Sequence, residues 1–248
     1  MDIKFRSYPR SLFAGACLVA LISVSAAFAD GVRVCVIDEL TADGQKITHP
    51  SPASPAYYVP VWAGYKELGR ILARAPQPPP AAAIQRLVIK TLAGEGYLLA
   101  TPLSPPTLAI VVSWGYAAPI MIPGKQLVNP GEMYKTIGID GVEDMTFIDP
   151  REKELVDAGD HIRHYLILTA FDYQARQQHR VVELWSAHVT APWLSGRLNG
   201  VLPTMLRSAA PYFGLGNPKP MFMTSVRQGR VVVGTPMVNA TVSPAPTP

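Results

Sequence analysis

The chain has 248 residues, 48% of them hydrophobic and 16% charged, with a formal net charge of +4. That balance excludes a chain disordered throughout, and so small a charge excludes the basic footprint of a nucleic-acid-binding domain. The length suits one large domain or two small ones with a substantial core.

The first ten residues carry Lys4, Arg6 and Arg10, and the uncharged run that follows ends in Ala27-Phe28-Ala29. This is the grammar of a secretory signal peptide over 1–29, cleaved after Ala29. A run of about 20 apolar residues is also long enough for an uncleaved anchor. Ser and Gly dilute it, however, and the small-x-small site favours cleavage. Ala14, Gly15 and Ala16 ahead of Cys17 argue against lipid attachment. Cleavage removes three basic groups and one acid, which lowers the charge to +2. The expectation is an exported protein, periplasmic or extracellular, with no integral membrane span once cleaved. Cys35 is then the only cysteine, so an internal disulfide is impossible and stability must come from the core. Within "VRVCVID" it reads as a small buried hydrophobe. A reactive thiol needs exposure and nearby cations, and only Arg33 is close in sequence.

Proline punctuates the chain at 49–55, 76–80, 104–106, 217–220 and in the tail. One domain over 30–235 is expected, followed by a disordered Pro-rich tail over 236–248. The first strand covers 32–38. In "VPVWAGYKELGRILAR" (59–74), Val61, Tyr65, Leu68 and Leu72 recur at helical spacing and predict a helix, weakened by two glycines. "PPPAAAIQRLVIKTLAGEG" is a stronger helix, with prolines at its start, Ile84, Leu87, Val88 and Leu92 on one face, and Gly94 and Gly96 at its end. "TLAIVVSWGYAA" (107–118) reads as a central strand, and 119–148 as a long excursion. "DPREKELVDAG" predicts a short helix with Asp149 as cap, Glu152 completing a capping box and Gly159 closing it.

"HYLILTAFDYQARQQHRVVELWSAHV" predicts an antiparallel hairpin, strands 164–173 and 180–190, joined by the polar connector "QARQQH" and burying Trp185. Leu198, Val201, Leu202, Met205, Leu206 and Ala209 form the clearest amphipathic helix, with Pro203 in its first turn or kinking it. A last edge hairpin is expected around Gln228-Gly229. The fold class is α/β of the α+β type, a mainly antiparallel sheet with helices packed on one face.

Three constellations invite chemistry. Asp157, Asp160, His161 and His164 fall within eight residues, but Gly159 ends the helix between them, so no metal site is expected. Ser186 and His188 share a strand face without the acid or oxyanion hole of a triad. Asp38, Glu39, Asp172 and Glu183 form a pool of carboxylates. Asp38 and Asp172 both end strands, where a glycosidase places its acids about 5 to 9 Å apart. Strand ends are equally where Asp accepts backbone N–H bonds, and Asp172 is read as a turn residue. No phosphate loop or dinucleotide fingerprint occurs, so no cofactor is expected. Tyr57, Tyr58, Trp62, Tyr65, Trp114 and Tyr116 are either core or an aromatic surface for a glycan; spacing alone leaves both open.

The run "YYVPVWAGYKELG", then "GYLLAT", "SWG", "AFDY" and "LWSAHVTAPWLSG" resembles an uncharacterised family of exported bacterial proteins. The element order resembles small lipoprotein-like α/β domains of the bacterial envelope. The resemblance implies a fold and no activity. Together these readings favour an exported envelope protein, non-catalytic and structural or binding in role, with an envelope protein or a glycan as partner. The alternative is a glycan-directed hydrolase using Asp38 and Asp172.

Overall fold

The computed structural model describes residues 31–68, 78–118, 150–159 and 161–225. Seven strands build one mixed sheet: β1 (Val32–Leu40), β2 (Ala56–Leu68), β3 (Tyr97–Leu99), β4 (Leu108–Ala117), β5 (Arg163–Asp172), β6 (Glu183–Pro192) and β7 (Asn217–Ser225). Their order is β3-β2-β4-β5-β6-β1-β7. The pairings from β4 across to β7 are antiparallel, as expected, while β2 runs parallel to both β3 and β4. The parallel corner exists because β2 is followed by a helix, α1 (Ala81–Gly94), which carries the chain back to start β3 beside it.

The apolar periodicities decide the rest. Ile84, Val88 and Leu92 of α1 are buried, and so are all six apolar positions of the long amphipathic helix, α4 (Leu198–Ala209). Both helices share one core with Val34 and Val36 of β1, Ile110, Val112 and Trp114 of β4, Leu166 and Leu168 of β5, and Trp185, Ala187 and Val189 of β6. Pro203 lies inside α4, past its first turn. Helix α2 (Pro150–Gly159) ends at Gly159 as expected; its proposed cap, Asp149, lies outside the described residues. It packs on β7, and Arg33 donates to Glu154 on it.

Two expectations need correction. Residues 59–68, expected as a helix, belong to β2. The register between β2 and β4 slips at Trp62/Gly64, with Gly64 at φ +82°. Trp62 and Tyr65, three apart, therefore both face the same side, opposite Val112 and Trp114. Val61 and Leu68, opposite Val111 and Ala117, face the other side from Tyr65, so the helical spacing of Val61, Tyr65 and Leu68 marks no common face, and Leu72 lies outside the described residues. The "QARQQH" connector is also no plain loop: Tyr173–Gln177 forms a short helix, α3. The flanking strands pair antiparallel and bury Trp185, as predicted, with Ala170 as its cross-strand partner. The slip after Ala170 turns Leu184 into the core beside Trp185. The Gln228-Gly229 turn and the 119–148 excursion lie outside the described residues.

Candidate functional site

Asp172 sits at the junction of β5 and α3 with extended backbone (φ −63°, ψ 119°), and its Oδ1 accepts the Ala175 N–H at 2.7 Å. This is an N-cap, the use expected of it. Replacing Asp172 with Asn retains the acceptor oxygen and is expected to move stability by less than about 1 kcal/mol, whereas Ala should cost about 0.5 to 2 kcal/mol. Denaturant midpoints of the two variants make the comparison; equal losses would reject the cap.

Asp38 serves another turn. It is fully buried, and its carboxylate accepts N–H bonds from Gly214 at 3.1 Å and Gly216 at 2.7 Å. Burial pushes its pKa up to about 6, against the lowering effect of those amides. Gly214 has φ +74°, and a Cβ there would lie 2.7 Å from Tyr97 Oη. Tyr97 Oη and His49 Nε2 both donate to the Phe213 carbonyl, at 3.1 and 2.9 Å. Asp38 is thus the anion around which the 213–216 turn closes. A cavity of about 350 Å³ opens beside it, lined by Glu39, Leu40, Gln45, Gly216 and Pro218.

The two strand-end carboxylates are not brought together. Asp38 lies opposite Ala187, which lies opposite Leu168, four residues before Asp172 and two strands away. Standard strand spacing and rise place them about 16 Å apart, well beyond a glycosidase pair. Glu39 and Glu183 are nearer neighbours: burial raises the Glu183 pKa, the Glu39 charge raises it further and His188 lowers it.

Ser186 Oγ lies 3.3 Å from His188 Nε2 and 3.1 Å from Thr169 Oγ1, so these side chains share a face as their spacing required. Ser186 is buried in that cross-strand ladder. The histidines of "DAGDHIRH" part company. His161 is exposed, its Nδ1 3.0 Å from the Asp157 carbonyl, while buried His164 donates from Nε2 to the Gly196 carbonyl at 2.7 Å. Burial lowers the His164 pKa, which keeps the ring neutral. Asp160 lies outside the described residues. Cys35 is buried, and burial pushes its thiol up to about 12, so it is packing rather than a nucleophile.

The aromatic residues divide. Tyr58, Trp114 and Tyr116 are buried in the core. Trp62 and Tyr65 are half-buried, meeting Trp114 and Tyr116 edge-on at 6.5 and 6.1 Å. Trp193, which sequence reasoning did not single out, joins them by packing on Tyr116 at 4.8 Å and stacking on His164. The Phe213-to-Gly216 turn was also missed, although "GLG" at 214–216 was a visible sign of a tight backbone.

No protein-family model matches the chain, and no curated protein does. Among solved structures, a PelC dodecamer from Paraburkholderia phytofirmans is similar over 71% of this chain and 96% of that one, at 12% identity and a TM-score of 0.34. A DUF4136 family protein from Bacteroides thetaiotaomicron is similar over 75% and 99%, at 14% identity and a TM-score of 0.36. A PDZ domain protein from Parabacteroides distasonis is similar over 79% of this chain and 40% of that chain, at 11% identity and a TM-score of 0.39.

Proposed function

We propose that the chain is an exported protein of the bacterial envelope that acts by binding rather than by catalysis. One observation carries this reading. The carboxylates best placed by sequence for hydrolysis, Asp38 and Asp172, each accept backbone N–H bonds that close a turn or cap a helix. Their register keeps them about 16 Å apart, so neither serves the other as acid or base. The leader over 1–29 supports export, and the domain is taken as 30–235 with a Pro-rich tail. The partner is an envelope protein or a glycan; for a glycan, the half-buried Trp62, Tyr65 and Trp193 are the aromatic faces to engage.

The protein recovered from cells is expected to begin at Asp30. Intact-mass spectrometry checks this, and a chain retaining 1–29 would replace the cleaved leader with an anchor. The binding reading is tested by affinity capture from envelope extract, alongside digestion of peptidoglycan and a panel of glycosides. Capture of a defined protein or glycan without turnover is the expected outcome. Turnover that disappears in a folded Asp172→Asn variant would overturn it in favour of the hydrolase.

A further inference from the structure

The small net charge of the chain conceals an uneven distribution. Helices α1 and α4 pack against each other over one shared core with the sheet. Along Ala81–Gly94 and Arg197–Ala209 the sequence places Arg86, Lys90, Arg197 and Arg207, and no acidic residue. Exposed helix surfaces ordinarily mix both signs, since Glu and Lys at i, i+4 support each other. Here one sign is absent.

Burial aims these side chains outward. Ile84, Val88 and Leu92 of α1, and the six apolar positions of α4, turn to the core. Arg86 and Lys90 lie one turn apart on the side of α1 away from it, and Arg207 lies on the corresponding side of α4. All three are exposed, as is Arg197 at the start of α4. Both helices begin at the sheet end where β2, β4 and β6 finish, so Lys90 and Arg207, each late in its helix, lie toward the same end. Packed helix axes are about 8 to 10 Å apart, which merges these charges into one basic field. Among the described residues none of the four forms an ion pair; Arg33 with Glu154 and Lys46 with Asp43 do so elsewhere. The carboxylates that border the layer belong to the sheet. Glu95, after α1, is half-buried beside β3, and Glu67, near the end of β2, accepts the Tyr65 hydroxyl at 2.9 Å.

What such a face can hold follows from its other side chains. Among the described residues, none of the exposed large apolar side chains lies on α1 or α4. Interfacial membrane docking needs apolar groups to enter the acyl boundary, and a protein interface needs apolar or aromatic anchors at its centre. Ala82, Ala83, Asn199 and Gly200 are the exposed neighbours instead, small or polar. A hydrated, flexible polyanion requires only charge and open access.

We propose that the outer face of the two helices binds an acidic polysaccharide, its carboxylates meeting Arg86, Lys90 and Arg207. This inference goes beyond the binding reading above and rests on its glycan arm, at a surface separate from Trp62, Tyr65 and Trp193.

The test measures binding of the protein, as recovered from cells, to immobilised polygalacturonate, with neutral dextran as the control. Binding to polygalacturonate alone is expected. It should weaken steeply from about 0.01 M to 0.15 M salt, as the screening length falls from roughly 30 to 8 Å. Arg86→Gln with Lys90→Gln and Arg207→Gln should lower it roughly tenfold or more. Glutamine is also a good helix former and the three sites are exposed, so the thermal midpoint should hardly move. Arg176→Gln with Arg180→Gln, which removes two charges elsewhere, should leave binding unchanged. Absence of parent binding, or equal binding by parent and triple variant, overturns the proposal. Partition into phosphatidylglycerol vesicles that the triple variant loses, without polygalacturonate binding by the parent, would assign the face to a membrane. Loss of a captured protein by the triple variant, again without polysaccharide bound by the parent, would assign it to a protein partner and leave the binding reading standing. Turnover in the glycoside assay rejects that reading and is scored separately.

Discussion

Trp185→Ala is expected to lower the unfolding free energy by about 3 to 5 kcal/mol, the range for removing a buried tryptophan. Trp185 is 1% exposed, in the core shared by the sheet and its helices, near the start of β6 and opposite Leu40 at the end of β1. Its ring stacks on Phe213 at 6.2 Å with planes 4° apart and meets Tyr97 edge-on at 5.7 Å. It therefore links β6 to the start of β3 and to the turn that Asp38 anchors. Truncation leaves a cavity where three distant segments meet, and none of them can collapse into it without moving the 213–216 turn. A loss of this size is a large part of the roughly 5 to 15 kcal/mol that stabilises a typical domain. Trp185→Phe should retain much of the stacking and lose less. Denaturant midpoints at constant slope measure both; an unchanged midpoint in Trp185→Ala would reject this packing.

The second large effect concerns pH. The Asp38 carboxyl has its pKa raised from an ordinary value of 3.8 to about 6, chiefly by burial. Between those values the folded chain holds a proton that the unfolded chain has released. Asp38 therefore contributes stability that is present below about pH 4 and lost as pH rises to about 6, and its contribution is flat above. A shift of this size corresponds to about 3 kcal/mol across the window. Asp38→Asn does not titrate. The stability difference between parent and variant should change by about 3 kcal/mol from pH 3 to 8, in favour of the parent on acidification. Taking the difference cancels other groups, such as Glu183, whose pKa is also raised, and His164, whose pKa is lowered. Parallel curves for parent and variant would show that Asp38 is not the buried anion of the turn.

Legibility in the sequence followed the range of the interactions. The helices Ala81–Gly94 and Leu198–Ala209 were readable because Ile84, Val88 and Leu92, and likewise Leu198 to Ala209, repeat at a spacing that only a helix places on one face. Asp172 was readable as a cap because its acceptor and the Ala175 donor are three residues apart. Strand β2 was misread because Val61, Tyr65 and Leu68 fall at helical spacing by composition alone: in the sheet Val61 and Leu68 face the side opposite Tyr65, and which face each takes is set by the neighbouring strand and the bulge at Gly64. Asp38 was read as one of a carboxylate pool, since nothing near it in sequence names the glycines it holds 176 and 178 residues away.

By itself, then, the sequence determined the antiparallel hairpin of β5 and β6, the burial of Trp185 and the two core helices, all written in spacings of two to four residues. Only the tertiary structure decided that β2 lies parallel to β4 and that Asp38 and Asp172 stand too far apart to act together. The reason is physical: local patterns bias each element independently. Strand order and the partners of a buried charge are chosen by how all the elements bury their surfaces at once, and no short window of residues contains that choice.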